Sequence, residues 1–203
     1  MLIIWGRTNS HNVKKVLWLA EELGMPFIRH DVGGQFGMDD AYLALNPNAL
    51  IPTIQDGDVT LWESNAILRY LAAQHGGADW WPSDPAARAM GDKWMDWQFT
   101  LADAQRDAFV HLVRKAPEDR DPAVIAASAL RSSQLMAIAD DLLSRQPWFS
   151  GDRLGIGDIP LGCYAHTYFT LDIERPQLPA LRGWYERLTE REAYRRSVMI
   201  PLS

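Results

Sequence analysis

Residues 61–72 read LWESNAILRYLA, and the change from strand to helix inside them decides the architecture around them. Leu61 and Trp62 close a short run of strand character, whereas Ala66, Ile67, Tyr70 and Leu71 recur at helical spacing. The junction falls on Glu63-Ser64. Ser64 is a residue type favoured at a helix N-cap. A helix N-terminus offers unpaired N–H groups and partial positive charge to an anion, and Glu63 sets a carboxylate next to it. Together they suit the free end of an α-amino acid, its carboxylate on the helix and its ammonium on Glu63. The plainer alternative is a helix cap beside an exposed glutamate.

Upstream, residues 53–55 and 59–62 are short apolar runs flanking Asp56-Gly57-Asp58, a strong hairpin signal. Residues 2–5 form a first strand. Val13, Val16, Leu17 and Ala20 then mark one face of a helix that stops at Gly24, a favoured C′ residue. Residues 25–31 read as a second strand, and a β-helix-β unit of this length predicts parallel pairing. Gly33-Gly34-Gln35-Phe36-Gly37 is a loop, and residues 39–45 an irregular short helix. The order βαβ, α, ββ, α is that of a thioredoxin-like domain.

Downstream, residues 76–85 (GGADWWPSDP) carry the Gly and Pro content of a linker, with Trp80 and Trp81 expected to pin it to a surface. Everything beyond reads as helix. Met90, Trp94, Trp97, Leu101, Ala104 and Ala108 make one amphipathic stripe, and Val124, Ala127, Leu135, Ile138 and Leu142 a second. Shorter helices fit residues 178–188 and 191–198. The predicted organisation is a thioredoxin-like domain over residues 1–76, a linker over 77–85 and an all-helical domain over 86–203.

The 203 residues are 47% hydrophobic, enough for one large domain or two small ones with real cores. A net charge of −6 argues against a nucleic-acid partner, which needs clustered Lys and Arg. No apolar stretch approaches the ~20 residues of a membrane span. The single cysteine, Cys163, has no internal disulfide partner, and the N-terminus shows no signal-peptide pattern. A cytoplasmic protein is the expectation.

Four segments in order and spacing carry a resemblance to the soluble glutathione transferases along essentially the whole chain. They are residues 5–14, Asn46-Pro47-Asn48-Ala49-Leu50-Ile51-Pro52, Glu63-Ser64-Asn65-Ala66-Ile67 and residues 151–158. The closest type is the bacterial serine-type, theta- or nu-like, member. The resemblance implies glutathione as co-substrate, no cofactor, no metal, a small electrophile as second substrate, and a homodimer. Ser10 matches the serine that donates a hydrogen bond to the glutathione sulfur, and Asn12 replaces or assists it as in some bacterial relatives. Ile51-Pro52 matches a cis-proline turn whose preceding residue pairs with an extended peptide. Glu63 and Ser64 would hold the γ-glutamyl end, and Gln35 part of the tripeptide. Many relatives carry Lys where Leu50 stands, so the glycyl carboxylate needs another partner.

The segment Gly155-Ile156-Gly157-Asp158 matches the family's capping box, with glycine in place of its usual Ser or Thr. The second substrate is expected between the domains, near Arg106, Phe109 and Val110. Arg106 would either orient an anionic electrophile or pair with Asp103, the second being the plainer reading. His11 receives no role. With no cysteine between Arg7 and Asn12, an enzyme thiol cannot form a mixed disulfide there. Two readings stand beside conjugation: a peroxidase or disulfide reductase using glutathione as its only thiol, and a non-catalytic binding module.

Overall fold

Strand β1 (Leu2–Trp5) alternates buried Leu2 and Ile4 with half-buried Ile3 and Trp5, as a strand with one face on a core requires. It leaves the sheet through Gly6, at φ +148°. A Cβ on Gly6 would stand 2.5 Å from the Val13 Cγ2 atom, so glycine is what lets this turn lie against helix α1 (His11–Glu22). Beyond α1, Gly24 at φ +63° ends the helix and leads to β2 (Phe27–His30), parallel to β1. A 3-10 turn over Gly34–Phe36 replaces the expected loop, and Asp39 caps α2 (Asp40–Leu45) by accepting from the Tyr42 N–H.

The hairpin forms as β3 (Thr53–Asp56) and β4 (Val59–Trp62), closed by Gly57-Asp58 with Gly57 at φ +59°. Strand β3 runs antiparallel to β1, giving a mixed sheet of order β2-β1-β3-β4. Helix α3 (Ser64–His75) follows at once. All of residues 1–203 are described, and they divide into two units. The first is Met1–Asp84 with Glu192–Ile200, and the second is Pro85–Arg191 with Pro201–Ser203. Residues 192–200 therefore lie with the thioredoxin-like unit and not with the helices that precede them. Helix α9 (Glu192–Ser197) is held there by Tyr194, edge-on to Trp18 at 4.8 Å, and by Lys14 Nζ donating to the Val198 carbonyl at 3.1 Å.

Within the linker, a single turn of helix, α4 (Gly77–Trp80), forms, and both Trp80 and Trp81 are half-buried. The second unit is built on α5 (Pro85–Phe109), α6 (Pro122–Leu143), α7 (Asp158–Thr170) and α8 (Pro179–Thr189). Along α5 the expected stripe is buried at Trp94, Leu101, Ala104 and Ala108, but Met90 is exposed. Along α6 the phase differs. Ala127 and Ile138 face outward, and the packed face is Ser128, Ala129, Ser132, Met136, Ala139 and Leu143. Small residues let α6 approach α5 closely. Ser128 satisfies its hydroxyl by donating to the Ala104 carbonyl and accepting from the Ala108 N–H.

Candidate active site

The first turn of α1, the turn before β3 and the start of α3 bring the predicted residues of the first unit onto one end of its sheet. Ser10 is the N-cap of α1, in extended backbone at φ −77° and ψ 128°, yet its hydroxyl caps nothing and makes no hydrogen bond within the protein. It is a free donor at a helix N-terminus. Asn12 is exposed and uses only its Oδ1, which accepts from the Ser64 hydroxyl at 3.3 Å. Its amide N–H groups face no partner in the chain.

The Ile51–Pro52 bond is cis, as the resemblance implies. The turn is braced by Asn46, whose Nδ2 donates to the Leu50 carbonyl at 2.9 Å and to Thr53 Oγ1 at 3.1 Å, while its Oδ1 accepts from the Asn48 N–H at 3.0 Å. Tyr42 adds a second donor to the Leu50 carbonyl. The segment from Asn46 to Pro52 thus owes its recognisable pattern to one buried asparagine. Neither the N–H nor the C=O of Ile51 is taken by another backbone group, which leaves a strand edge open for an extended peptide. Leu50 is 60% exposed and supplies no charge. Gln35 is exposed on the 3-10 turn, with its amide unengaged.

The N-cap position suggested for Ser64 falls to Glu63. The N-cap position is Glu63, exposed, with φ at +72°, and no side chain caps the helix. A non-glycine residue held there costs on the order of 1–3 kcal/mol. Ser64 is the first helical residue, and its side chain is buried, donating to Asn12 Oδ1 and accepting from Lys15 Nζ at 3.2 Å. Its hydroxyl is committed inward, so what the start of α3 presents to an anion is main-chain N–H and helix dipole. The reason is steric and electrical: Lys15, on the same face of α1 as Asn12, needs acceptors in the interior and finds Ser64 and Asn65.

Sequence reasoning gives no role to Lys15, nor to Asn65 beyond its place in the quoted segment. The available signal was Lys14-Lys15 set between Val13 and Val16 on a helix whose middle is apolar, since two lysines there must be buried. Both are, at 1% and 0% exposure.

In the second unit, Arg106 lies exposed on α5 without an acidic partner. Asp103, its suggested partner, instead pairs with Arg131 of α6 at 2.9 Å, because α5 and α6 pack together and Arg131 reaches across. Phe109 is buried with Ala108 and Leu171, and Val110 opens a π-helical turn over Val110–Arg114. Such turns recur at functional sites. The Asp158 half of the box forms: its carboxylate accepts from the N–H groups of Phe149 (2.8 Å), Gly155 (3.1 Å) and Ser150 (3.2 Å) and from Trp184 Nε1 (3.0 Å). It is structural.

A mixed four-stranded sheet with a cis-proline turn, followed by a helical unit, defines a thioredoxin-like domain joined to an all-α domain. The particular family follows from likeness to known proteins. Residues 9–74 match the family model "Glutathione S-transferase, N-terminal domain" and residues 101–192 match "Glutathione S-transferase, C-terminal domain". The chain is 47% identical to glutathione S-transferase GstB of Escherichia coli (strain K12), over the full length of both. It superposes with a TM-score of 0.95, at 52% identity and covering 100% of this chain and 99% of the other, on a theta class glutathione S-transferase from Xanthomonas axonopodis pv. citri, whose crystal structure has glutathione bound. It is also 29% identical to disulfide-bond oxidoreductase YfcG of Escherichia coli (strain K12), over 91% of this chain and 87% of that one. The chain belongs to the glutathione S-transferase family and is a transferase of that class.

Proposed function

We propose that the site on the first unit binds glutathione, holds it as the thiolate and delivers it to a small electrophile. The observation that carries this is the coincidence of three unspent groups: the Ser10 hydroxyl, the Ile51 backbone and the uncapped start of α3. The cysteinyl unit pairs with Ile51 as an added strand. The γ-glutamyl carboxylate meets the N–H groups at the start of α3, and its ammonium meets Glu63. Gln35 lies at the edge of the same site and contributes to the tripeptide. Ser10 donates to the sulfur, assisted by Asn12. A free thiol titrates near ~8.5, and lowering it by about two units asks for roughly 2.7 kcal/mol. One hydrogen bond to a charged group supplies ~1.5–3 kcal/mol and a helix N-terminus ~0.3–1 kcal/mol, so no further base is required.

Arg106 is the residue assigned to the electrophile, and its lack of an acidic partner supports an anionic one. Glutathione is consumed as co-substrate, and the protein works in the cytoplasm without a further cofactor. No helix is long and apolar enough to cross a membrane. A homodimer is part of the same reading, supported by exposed Phe36, Met90 and Phe99 at 50–55% exposure. Sedimentation at micromolar concentration should give twice the 23.0 kDa chain mass.

A disulfide-reductase activity is the second reading, favoured by the likeness to the protein named a disulfide-bond oxidoreductase. Cys163 is buried, so glutathione would have to supply every thiol. Calorimetric titration with glutathione, then turnover with several electrophiles, a peroxide and a glutathione mixed disulfide, tests both. Absence of glutathione binding would end both readings. Turnover of disulfide alone would favour the second.

A further inference from the structure

Asn12 and Lys15 stand three residues apart on one face of α1, and both reach the first turn of α3. Lys15 is wholly buried, and its ammonium donates to Ser64 Oγ at 3.2 Å and to Asn65 Oδ1 at 3.3 Å. An ammonium group only donates. Ser64 Oγ must therefore accept from Lys15, and its single proton goes to the other neighbour within reach, Asn12 Oδ1 at 3.3 Å. That fixes the sense of the asparagine amide. Its oxygen faces inward to Ser64, and its N–H groups face outward, at the exposed start of α1 beside Ser10.

Direction is therefore set along the row Lys15, Ser64, Asn12 by the one member that cannot accept. Were Lys15 uncharged or absent, Ser64 Oγ would be free to accept from the Asn12 amide, and a flipped asparagine would cost nothing. The outward donor would then become an outward acceptor, which repels a thiolate. The row also runs from the place proposed for the γ-glutamyl carboxylate to the place proposed for the sulfur, so the γ-glutamyl end and the central cysteinyl sulfur of the bound tripeptide rest on one hydrogen-bonded unit.

We propose that Lys15 is a positioning residue that, through Ser64, holds the Asn12 amide N–H toward the sulfur of bound glutathione. This rests on the glutathione-binding reading above. Lys15 touches neither substrate, and it acts by removing the wrong orientation of Asn12.

The test is Lys15→Met, which keeps the side-chain volume and removes the donor, measured by ultraviolet titration of the thiolate in the glutathione complex. The thiolate pKa is expected to rise by about half a unit to one unit, which at pH 7, starting from a bound thiol near ~6.5, means roughly 1.5- to 3-fold less thiolate and correspondingly slower conjugation. Above that pKa the rate should return to the wild-type value, which a loosened fold would not allow. In an Asn12→Ala background, Lys15→Met should leave the pKa where Asn12→Ala put it. An unmoved pKa in Lys15→Met, or an equal rise in both backgrounds, overturns the relay. Should circular dichroism show Lys15→Met unfolded, Ser64→Ala, which keeps the main-chain N–H, reads the same link with the same expectations. If the wild-type chain bound no glutathione, the binding reading would fall and the relay with it. Binding with a lowered thiol pKa that ignores Lys15 and Ser64 overturns the relay alone.

Discussion

Asp103 and Arg131 form an ion pair of 2.9 Å across helices α5 and α6, and this leaves Arg106, one turn along from Asp103, as an exposed cation with no acid to neutralise it. An unpaired surface arginine is a fork of donors suited to a carboxylate or similar anion. The proposal that it meets the second substrate rests on that freedom.

Arg106→Ala should raise the KM for an anionic electrophile by roughly fivefold, the scale of one exposed charge pair, and leave a neutral electrophile of similar size unchanged. Glutathione affinity, measured by calorimetry, should not move. Equal effects on both electrophiles would show that Arg106 acts on the fold of α5 and not on charge.

Glu63 combines an exposed carboxylate with φ of +72°, so its stability and its chemistry pull in opposite directions. Glu63→Ala should weaken glutathione binding by about 10- to 150-fold, the loss of a charge-assisted hydrogen bond of ~1.5–3 kcal/mol, with an unchanged circular dichroism spectrum. Glu63→Gly should weaken binding as much without lowering the melting temperature, because glycine relieves a backbone cost on the order of 1–3 kcal/mol. Unchanged affinity in both variants would remove Glu63 from the γ-glutamyl site.

The elements and the site segments were legible in the sequence because each is written locally. Gly6, Gly24 and Gly57 punctuate β1, α1 and the hairpin, and the Asn46 to Pro52 pattern is one asparagine bonding within seven residues of itself. What was not legible depends on packing between distant segments. The phase of α6 turns on buried small residues and on Ser128, whose hydroxyl is satisfied by the backbone of α5, a partner the α6 sequence does not reveal. Similarly, Asp103 chose Arg131, 28 positions away, over Arg106 at three. The glycine at position 155 looked like a missing cap. Instead, Ser150 Oγ fills the space a Cβ there would need, at 2.8 Å, and accepts from the Gly157 N–H at 3.0 Å.

Asp158 gives the second unit a pH dependence of unusual sign. Burial pushes its carboxyl up from 3.8 to about 6, against the pull of its N–H donors on the Phe149 backbone, Trp184 and the Gly155 backbone. The folded value exceeds the unfolded one, so the folded chain holds the proton more tightly. Its contribution to stability is then fullest below about pH 4 and is lost as pH rises from there to about 6, in total about 3 kcal/mol. Asp158→Asn cannot titrate, and it turns an amide toward the donors of Gly155 and Ser150. It should be less stable than wild type at pH 7, and the gap should widen as pH falls from 6 to 4. Urea unfolding of both proteins across that range measures it, and a constant or narrowing gap would refute the assignment.

The sulfur donor is decided by comparing Ser10 with Asn12. Ser10 brings a hydroxyl with no other partner, at the very start of α1, so its whole hydrogen-bonding capacity is available to a thiolate. Asn12 brings an amide whose oxygen is already engaged by Ser64. Ser10→Ala should therefore raise the thiolate pKa of bound glutathione by one to two units and slow conjugation at neutral pH by roughly 10- to 150-fold, the equivalent of ~1.5–3 kcal/mol. Affinity should change little, because the proposed site holds the tripeptide at Ile51, Glu63 and the start of α3. Asn12→Ala should raise the same pKa by about half a unit to one unit. Ultraviolet titration of the bound thiolate in each variant separates the two. If Ser10→Ala left the pKa in place while Asn12→Ala raised it by two units, the hydroxyl would be a bystander and the amide of Asn12 the group that holds the sulfur.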